Sequence, residues 1–184
     1  MKKLLYMLFL ISSVSYAQTL SVTPDGLRNP NDPEKTFVVL NLEGKTAKQL
    51  FDGSVKYITK NYQNPDKVIK GKIENEYIKF TTHIADFIII KNSFAKVPIT
   101  ADYTVELNFK DGKVRYEVIS LDMYDKSGRY KLHFKGEGAF SGYYIYNNKE
   151  ELKKPEAKTA LENYFNIKIE NLLKTLQNPT EDNW

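Results

Sequence analysis

Glu106 and Glu117 are the pair of residues with the clearest route to chemistry in this sequence. Between them lies Asp111-Gly112, a two-residue turn signal whose backbone twist suits a β-hairpin. A turn there sets Phe109 opposite Val114, Leu107 opposite Tyr116 and Val105 opposite Val118, so turn chemistry and apolar pattern agree. The same register puts Glu106 opposite Glu117, with Cβ atoms about 5 Å apart. Two carboxylates that close can share a proton and act as acid and base, as in glycoside hydrolysis. The alternative is a solvated sheet face on which Arg115, diagonal to Glu106, relieves the repulsion.

Other chemistries lack their residues. His83 and His133 are the two histidines and there is no cysteine, so a zinc site would need carboxylates from distant segments. Asp122 to Gly128 has the outline of a calcium loop, but Tyr124 and Lys126 stand where carboxylates are required. Ser141-Gly142 lacks the G-x-S-x-G pattern. Gly136, Gly138 and Gly142 do not match a dinucleotide fingerprint and precede tyrosines rather than a helix. No catalytic residue, metal or cofactor is therefore expected. Tyr143, Tyr144 and Tyr146, with Arg129 nearby, offer faces for stacking on sugars, peptides or bases. The alternative for these tyrosines is ordinary strand composition.

The elements that position these groups are legible in outline. Thr36 to Glu43 is β-rich and reads as a first strand. Thr46 and Gln49 form a capping box. Behind it Ala47, Leu50, Phe51, Ser54, Val55, Ile58 and Tyr62 recur at helical spacing. Asn64-Pro65 ends that helix. Strands are predicted over Val68 to Ile73, Tyr77 to Ile84 and Phe87 to Ile90, with Lys91 to Pro98 as a loop. The Asp102 to Leu121 hairpin follows, then a polar turn from Met123 to Arg129 and strands near Tyr130 to Phe134 and Tyr143 to Tyr146. Pro155 opens a last helix that runs to Gln177 with a continuous apolar stripe. One detail stands apart: the face carrying Arg115 and Glu117 continues through Ile119, Leu121 and Met123. That end should be covered by another segment, or else it is an apolar partner surface. The order strand, helix, several antiparallel strands, helix predicts an α+β fold: a curved antiparallel sheet with two helices packed on one face. A single domain over 36–177 is expected, after a lead-in arm (18–35) that reads as a loop or loosely tethered segment and before a loose tail (178–184).

The N-terminus speaks to location. Lys2 and Lys3 precede the apolar run Leu4 to Ile11, and Ser15-Tyr16-Ala17 fits small-x-small cleavage, so 1–17 is predicted to be a signal peptide. The apolar run is too short to span a bilayer, which takes about 20 residues. Without cysteine there is no lipobox and no disulfide. The expected product is a soluble, unanchored protein of the periplasm or medium beginning near Gln18. Its 167 residues of the original 184 suffice for one unaided core. Removing Lys2 and Lys3 leaves 25 basic against 23 acidic residues, reducing the net charge from +4 to +2. So balanced a charge, like export itself, argues against nucleic acid as a partner.

Three segments, TFVVLNLEGKT, QLFDGSVKYITKNY and NFKDGKVRYEVISL, resemble an exported Bacteroidetes family, domain of unknown function 4468. The resemblance covers about residues 36–124 and implies a fold like the TATA-binding protein, in the order β-α-β-β-β-β-α. The family often carries a tryptophan in its first helix, where this chain has Tyr57. The segment from Tyr130 to Trp184 exceeds the family pattern. None of the matching motifs is catalytic, and a fold label does not imply DNA binding. The functional expectation is a non-enzymatic exported domain that binds a ligand or an envelope protein through Arg115, Glu106, Glu117, Arg129, Tyr143 and Tyr144. The alternatives are an envelope glycan or peptide hydrolase using the carboxylate pair, and a purely structural envelope component.

Overall fold

A computed structural model describes residues 19–138 and 142–178. The predicted signal peptide and the tail beyond Asn178 lie outside the described residues. The Asp111-Gly112 turn joins two long strands, β6 (Ala95–Lys110) and β7 (Lys113–Asp125). Their register is the predicted one around the turn: Phe109 faces Val114, Leu107 faces Tyr116 and Glu106 faces Glu117. The first strand of the sheet, β3 (Phe37–Asn41), pairs with β7, and β5 (Tyr77–Asn92) pairs with β6. An outer strand, β4 (Ile69–Ile73), completes an antiparallel sheet ordered β3-β7-β6-β5-β4.

Helix α1 (Ala47–Asn61) starts with the predicted capping box at Thr46 and Gln49. It buries Leu50, Phe51, Tyr57 and Ile58, and Phe51 meets Phe109 edge-on at 5.7 Å. The Asp111 carboxylate accepts a hydrogen bond from the Ala47 N–H at 2.7 Å. Gly112 donates to the Lys45 carbonyl and its own carbonyl accepts from the Leu42 N–H, both at 2.8 Å. Gly112 itself has φ +72°, a conformation that favours glycine. A short helix, α2 (Pro65–Val68), follows with Pro65 in its first turn, where a missing N–H costs nothing. The long C-terminal helix α3 (Pro155–Gln177) buries Leu161, Phe165, Ile169, Leu172 and Leu176. Phe165 packs on Tyr103 of the same sheet face. Where α3 crosses α1 the approach is close: a Cβ added at Gly53 would lie 2.7 Å from Leu176 Cδ2.

Several expectations need correction. Residues 77–84 and 87–90 form one strand, because β5 passes through a bulge at Asp86 (φ 51°) and re-registers from Ile84↔Ala101 to Ile88↔Ile99. The expected loop from Lys91 to Pro98 is the tip of the β5–β6 hairpin, turned at Ser93 (φ 53°) without the glycine that would have marked it. The lead-in arm is not loosely tethered. It contains β1 (Ser21–Thr23) and β2 (Gly26–Arg28), and Leu20, Val22 and Leu27 are buried. Side chains of α3 hold its backbone: Asn166 bonds both the N–H and C=O of Leu20, and Glu162 accepts from the Val22 N–H and the Ser21 hydroxyl. Beyond β7, β8 (Leu132–Lys135) and β9 (Tyr143–Tyr146) pair in parallel.

The most consequential correction concerns Ile119, Leu121 and Met123. Val118 faces Val105 but Ser120 faces Thr104, so Ile119 is an extra residue, a β-bulge. Every later side chain of β7 therefore changes face. Leu121 and Met123 lie opposite Tyr103 and Ala101 on the core side, and Met123 is 2 % exposed. The expected outer apolar patch does not exist beyond Ile119 itself. Two predictions follow from these arrangements, both read by chemical denaturation. Met123→Ala should destabilise by about 2–5 kcal/mol, whereas Ile119→Ala should cost under about 1 kcal/mol; equal costs would contradict the bulge. Asp111→Ala should cost about 1 kcal/mol through loss of the helix cap, and Gly112→Ala about 1–2 kcal/mol through left-handed backbone strain.

Candidate functional site on the open face of the sheet

One face of the five-stranded sheet carries α1 and α3. The opposite face carries the charged residues of β5, β6 and β7. Glu106 and Glu117 are cross-strand neighbours there, as expected. Each has its own donors. Glu117 is held by Arg115 and by the Thr36 hydroxyl, and its side chain is 13 % exposed. Glu106 accepts from Asn108 at 3.1 Å. The Arg115 guanidinium also lies 4.2 Å over the Phe37 ring, which holds it flat on the edge strand. This is a stapled charge cluster, with the two carboxylates bonded to separate partners.

A second cluster lies further along the same face. His83 on β5 faces Asp102 on β6, and Asp102 faces Asp122 on β7. His83 Nδ1 is 2.8 Å from Asp102 Oδ1, and the Tyr124 hydroxyl donates to Asp102 Oδ2 at 2.6 Å. A carboxylate can only accept, so Nδ1 carries the proton, and the His83 side chain is 61 % exposed. Lys131 bonds both oxygens of Asp122, at 2.9 and 3.1 Å. The Tyr124 hydrogen bond, aided by His83 and opposed by partial burial, holds the Asp102 carboxyl below its ordinary 3.8. The same bond pushes the Tyr124 phenol up, since the ionised carboxylate it donates to favours the phenol keeping its proton. Sequence reasoning missed this cluster. The signal was present as period-two spacing on each strand, but the Ile119 bulge decides that Asp122 and Tyr124 face outward.

The remaining expected site residues lie elsewhere. Arg129 is 14 residues past Arg115, in the turn beyond the far end of β7. Its backbone N–H donates to Asp125 in a tight turn. Tyr143 packs against Tyr130, with Lys154 above its ring, and Tyr144 stacks on His133. Arg115, Glu106 and Glu117 are thus not joined with Arg129, Tyr143 and Tyr144 in one site. Other tyrosines are core: Tyr103 and Tyr116 are buried, Tyr103 shares a 2.7 Å hydrogen bond with Tyr164, and burial pushes the Tyr164 phenol up to about 12. Tyr57 is buried in α1, its hydroxyl reaching the Lys168 carbonyl. Two depressions, of about 270 and 480 Å³, flank the N-terminal end of α1 and are not on the charged face. Among the described residues no group of three or more His, Asp or Glu is arranged to hold a metal ion.

The sheet, α1 and both clusters up to Tyr124 coincide with a known family unit. Residues 37–124 match the model of a domain of unknown function (DUF4468) with TBP-like fold. This segment belongs to the DUF4468 family. Two solved structures are similar to the chain. A DUF4468 family protein from Bacteroides ovatus has 12 % identity and a TM-score of 0.51, over 76 % of this chain and 84 % of its own. A TBP-like protein from Parabacteroides distasonis has 13 % identity and a TM-score of 0.51, over 77 % and 91 %. At that identity the likeness shows the fold alone. No functionally curated protein matches the sequence. His83, Asp102, Asp122 and Tyr124 all fall within the DUF4468 segment, whereas Lys131, β8, β9 and α3 follow it.

The lowered Asp102 value gives a pH prediction. Its ionised form stabilises the fold above the unfolded value of about 3.9, and that contribution disappears as pH falls through the lower folded value. Tyr124→Phe removes the main cause. The Asp102 carboxyl, followed by carbon-detected NMR titration, should therefore move up toward 3.8 in this variant; an unchanged midpoint would exclude the hydrogen bond as the cause.

Proposed function

We propose that the chain is an exported, non-enzymatic domain that binds a ligand or a protein partner of the periplasm or cell envelope through the open face of its sheet. The observation that carries this reading is the state of the charged side chains on that face. Glu117 is already tied to Arg115 and Thr36, Asp102 to His83 and Tyr124, and Asp122 to Lys131. Such fixed, paired charges on strands form a pre-organised surface that recognises by complementarity. A carboxylate pair working as acid and base would instead need one group free to take a proton from the other or from substrate. Export is supported by Lys2-Lys3, the apolar run Leu4 to Ile11 and the Ala17-Gln18 junction. Among the described residues, no helix is long and apolar enough to cross a membrane.

A reporter fused to the full chain should leave the cytoplasm; its retention would overturn export. Asp122→Ala with Lys131→Ala removes an exposed ion pair at a cost within about 0.5 kcal/mol of stability. This double variant should bind a stoichiometric partner at least tenfold more weakly than the unmodified chain. Turnover on a panel of envelope glycans and peptides, abolished by Glu106→Gln or Glu117→Gln, would establish the hydrolase instead.

A further inference from the structure

The β5–β6 hairpin continues past its neighbours. Ile99↔Asp125 is its last pairing with β7, and the pairs from Ile89↔Pro98 to Asn92↔Ala95 have no third strand. Helix α3 covers one side of this extension, where Ile88 and Ile90 are buried. The other side and the apex face solvent. At the apex the Phe94 ring is completely exposed, displayed by the turn at Ser93, and Ile89 on the outward side is 55 % exposed.

Behind Phe94, Lys91 stands directly opposite Lys96. Like charges so placed repel and weaken the strand pair. Among the described residues neither ammonium has a carboxylate partner. Lys154 adds a third ammonium, donating at 2.6 Å to the Lys91 carbonyl. The carboxylate nearby, Glu156, accepts from the Lys91 backbone N–H at 2.8 Å. The tip is therefore an exposed aromatic apex with a cationic collar whose charge is not balanced within the fold.

We propose that this tip docks on an anionic lipid bilayer, with Phe94 entering the acyl boundary and Lys91 and Lys96 meeting phosphate headgroups. The dimensions fit. At about 3.4 Å per strand residue the lysine pair sits roughly 7 Å behind the apex, within the 5–10 Å to which an interfacial apolar group sinks. Lysine stems can lie along that depth while their ammonium groups stay at the phosphates. A protein partner would more naturally be met by a packed patch with a polar rim, whereas this ring projects alone from a two-residue turn. The surface is distinct from the charged face proposed above for partner binding, and neither reading depends on the other.

The chain has no cysteine, so Ala95→Cys gives a single attachment point for an environment-sensitive fluorophore at the tip. The labelled full chain is titrated with vesicles of phosphatidylcholine, with and without phosphatidylglycerol. All variants share one N-terminus, so any affinity of the leader is common to them, and the label reports the tip. The emission should shift to the blue with phosphatidylglycerol vesicles and remain unshifted with phosphatidylcholine alone. Phe94→Ser should abolish the shift. Lys91→Ser and Lys96→Ser should each weaken binding about fivefold. Circular dichroism confirms that these exposed substitutions leave the fold intact. A label that stays in water with anionic vesicles, an equal shift with phosphatidylcholine, or a shift that survives Phe94→Ser overturns the proposal. So does a stoichiometric protein complex that requires Phe94 while vesicles leave the label unshifted.

Discussion

The Asp111 carboxylate accepts the Ala47 N–H, and through that bond the β6–β7 hairpin is tied to the start of α1. The same turn supplies Gly112, whose N–H and C=O bond to Lys45 and Leu42 on the connection between β3 and α1. Two residues thus set the β6–β7 hairpin against β3 and α1, which lie some 60 residues earlier in the chain. The register of β6 on β7 follows from the turn, and the entry angle of α1 over the sheet follows from the cap. The packing of Phe51 on Phe109 needs both to be right. A negative group at the positive end of a helix is favourable, so the hairpin and the helix stabilise each other.

What the residues made legible were features encoded over short distances. The Asp-Gly turn, the alternation on either side of it and the Thr46–Gln49 capping box are all contained within about ten residues. They led to the correct register, the helix start and the facing glutamates. What escaped was encoded elsewhere. Nothing about Ile119 marks it as a bulge, since an isoleucine fits a regular strand equally well; the bulge is settled by how Leu121 and Met123 reach the core. The turn at Ser93 lacks glycine. The arm before β3 looked loose because its partners, Glu162 and Asn166, lie some 140 residues away.

The candidate site divides in the same way. The Glu106–Glu117 pair was visible from register alone. Its chemistry was not, because Thr36 comes from the residue just before the edge strand β3 and Asn108 from the next outward-facing position of β6. The His83–Asp102–Tyr124 cluster needs three strands and one bulge to assemble. Several tyrosines prove to be structural, Tyr103 and Tyr116 buried on the sheet and Tyr57 on the helix α1.

The grip of α3 on β1 has a consequence for the order in which the molecule can form. Leu20 bonds to Asn166 across a separation of 146 residues, and Tyr146 and Lys158 also bond to the Val22 carbonyl. Contacts of such span are the slowest to be reached in folding, because the intervening chain must first be ordered. The segment around Leu20 can find its place only after α3 exists. During synthesis the beginning of the chain is therefore necessarily left open while the sheet is being made, and the closing step is the joining of two remote segments.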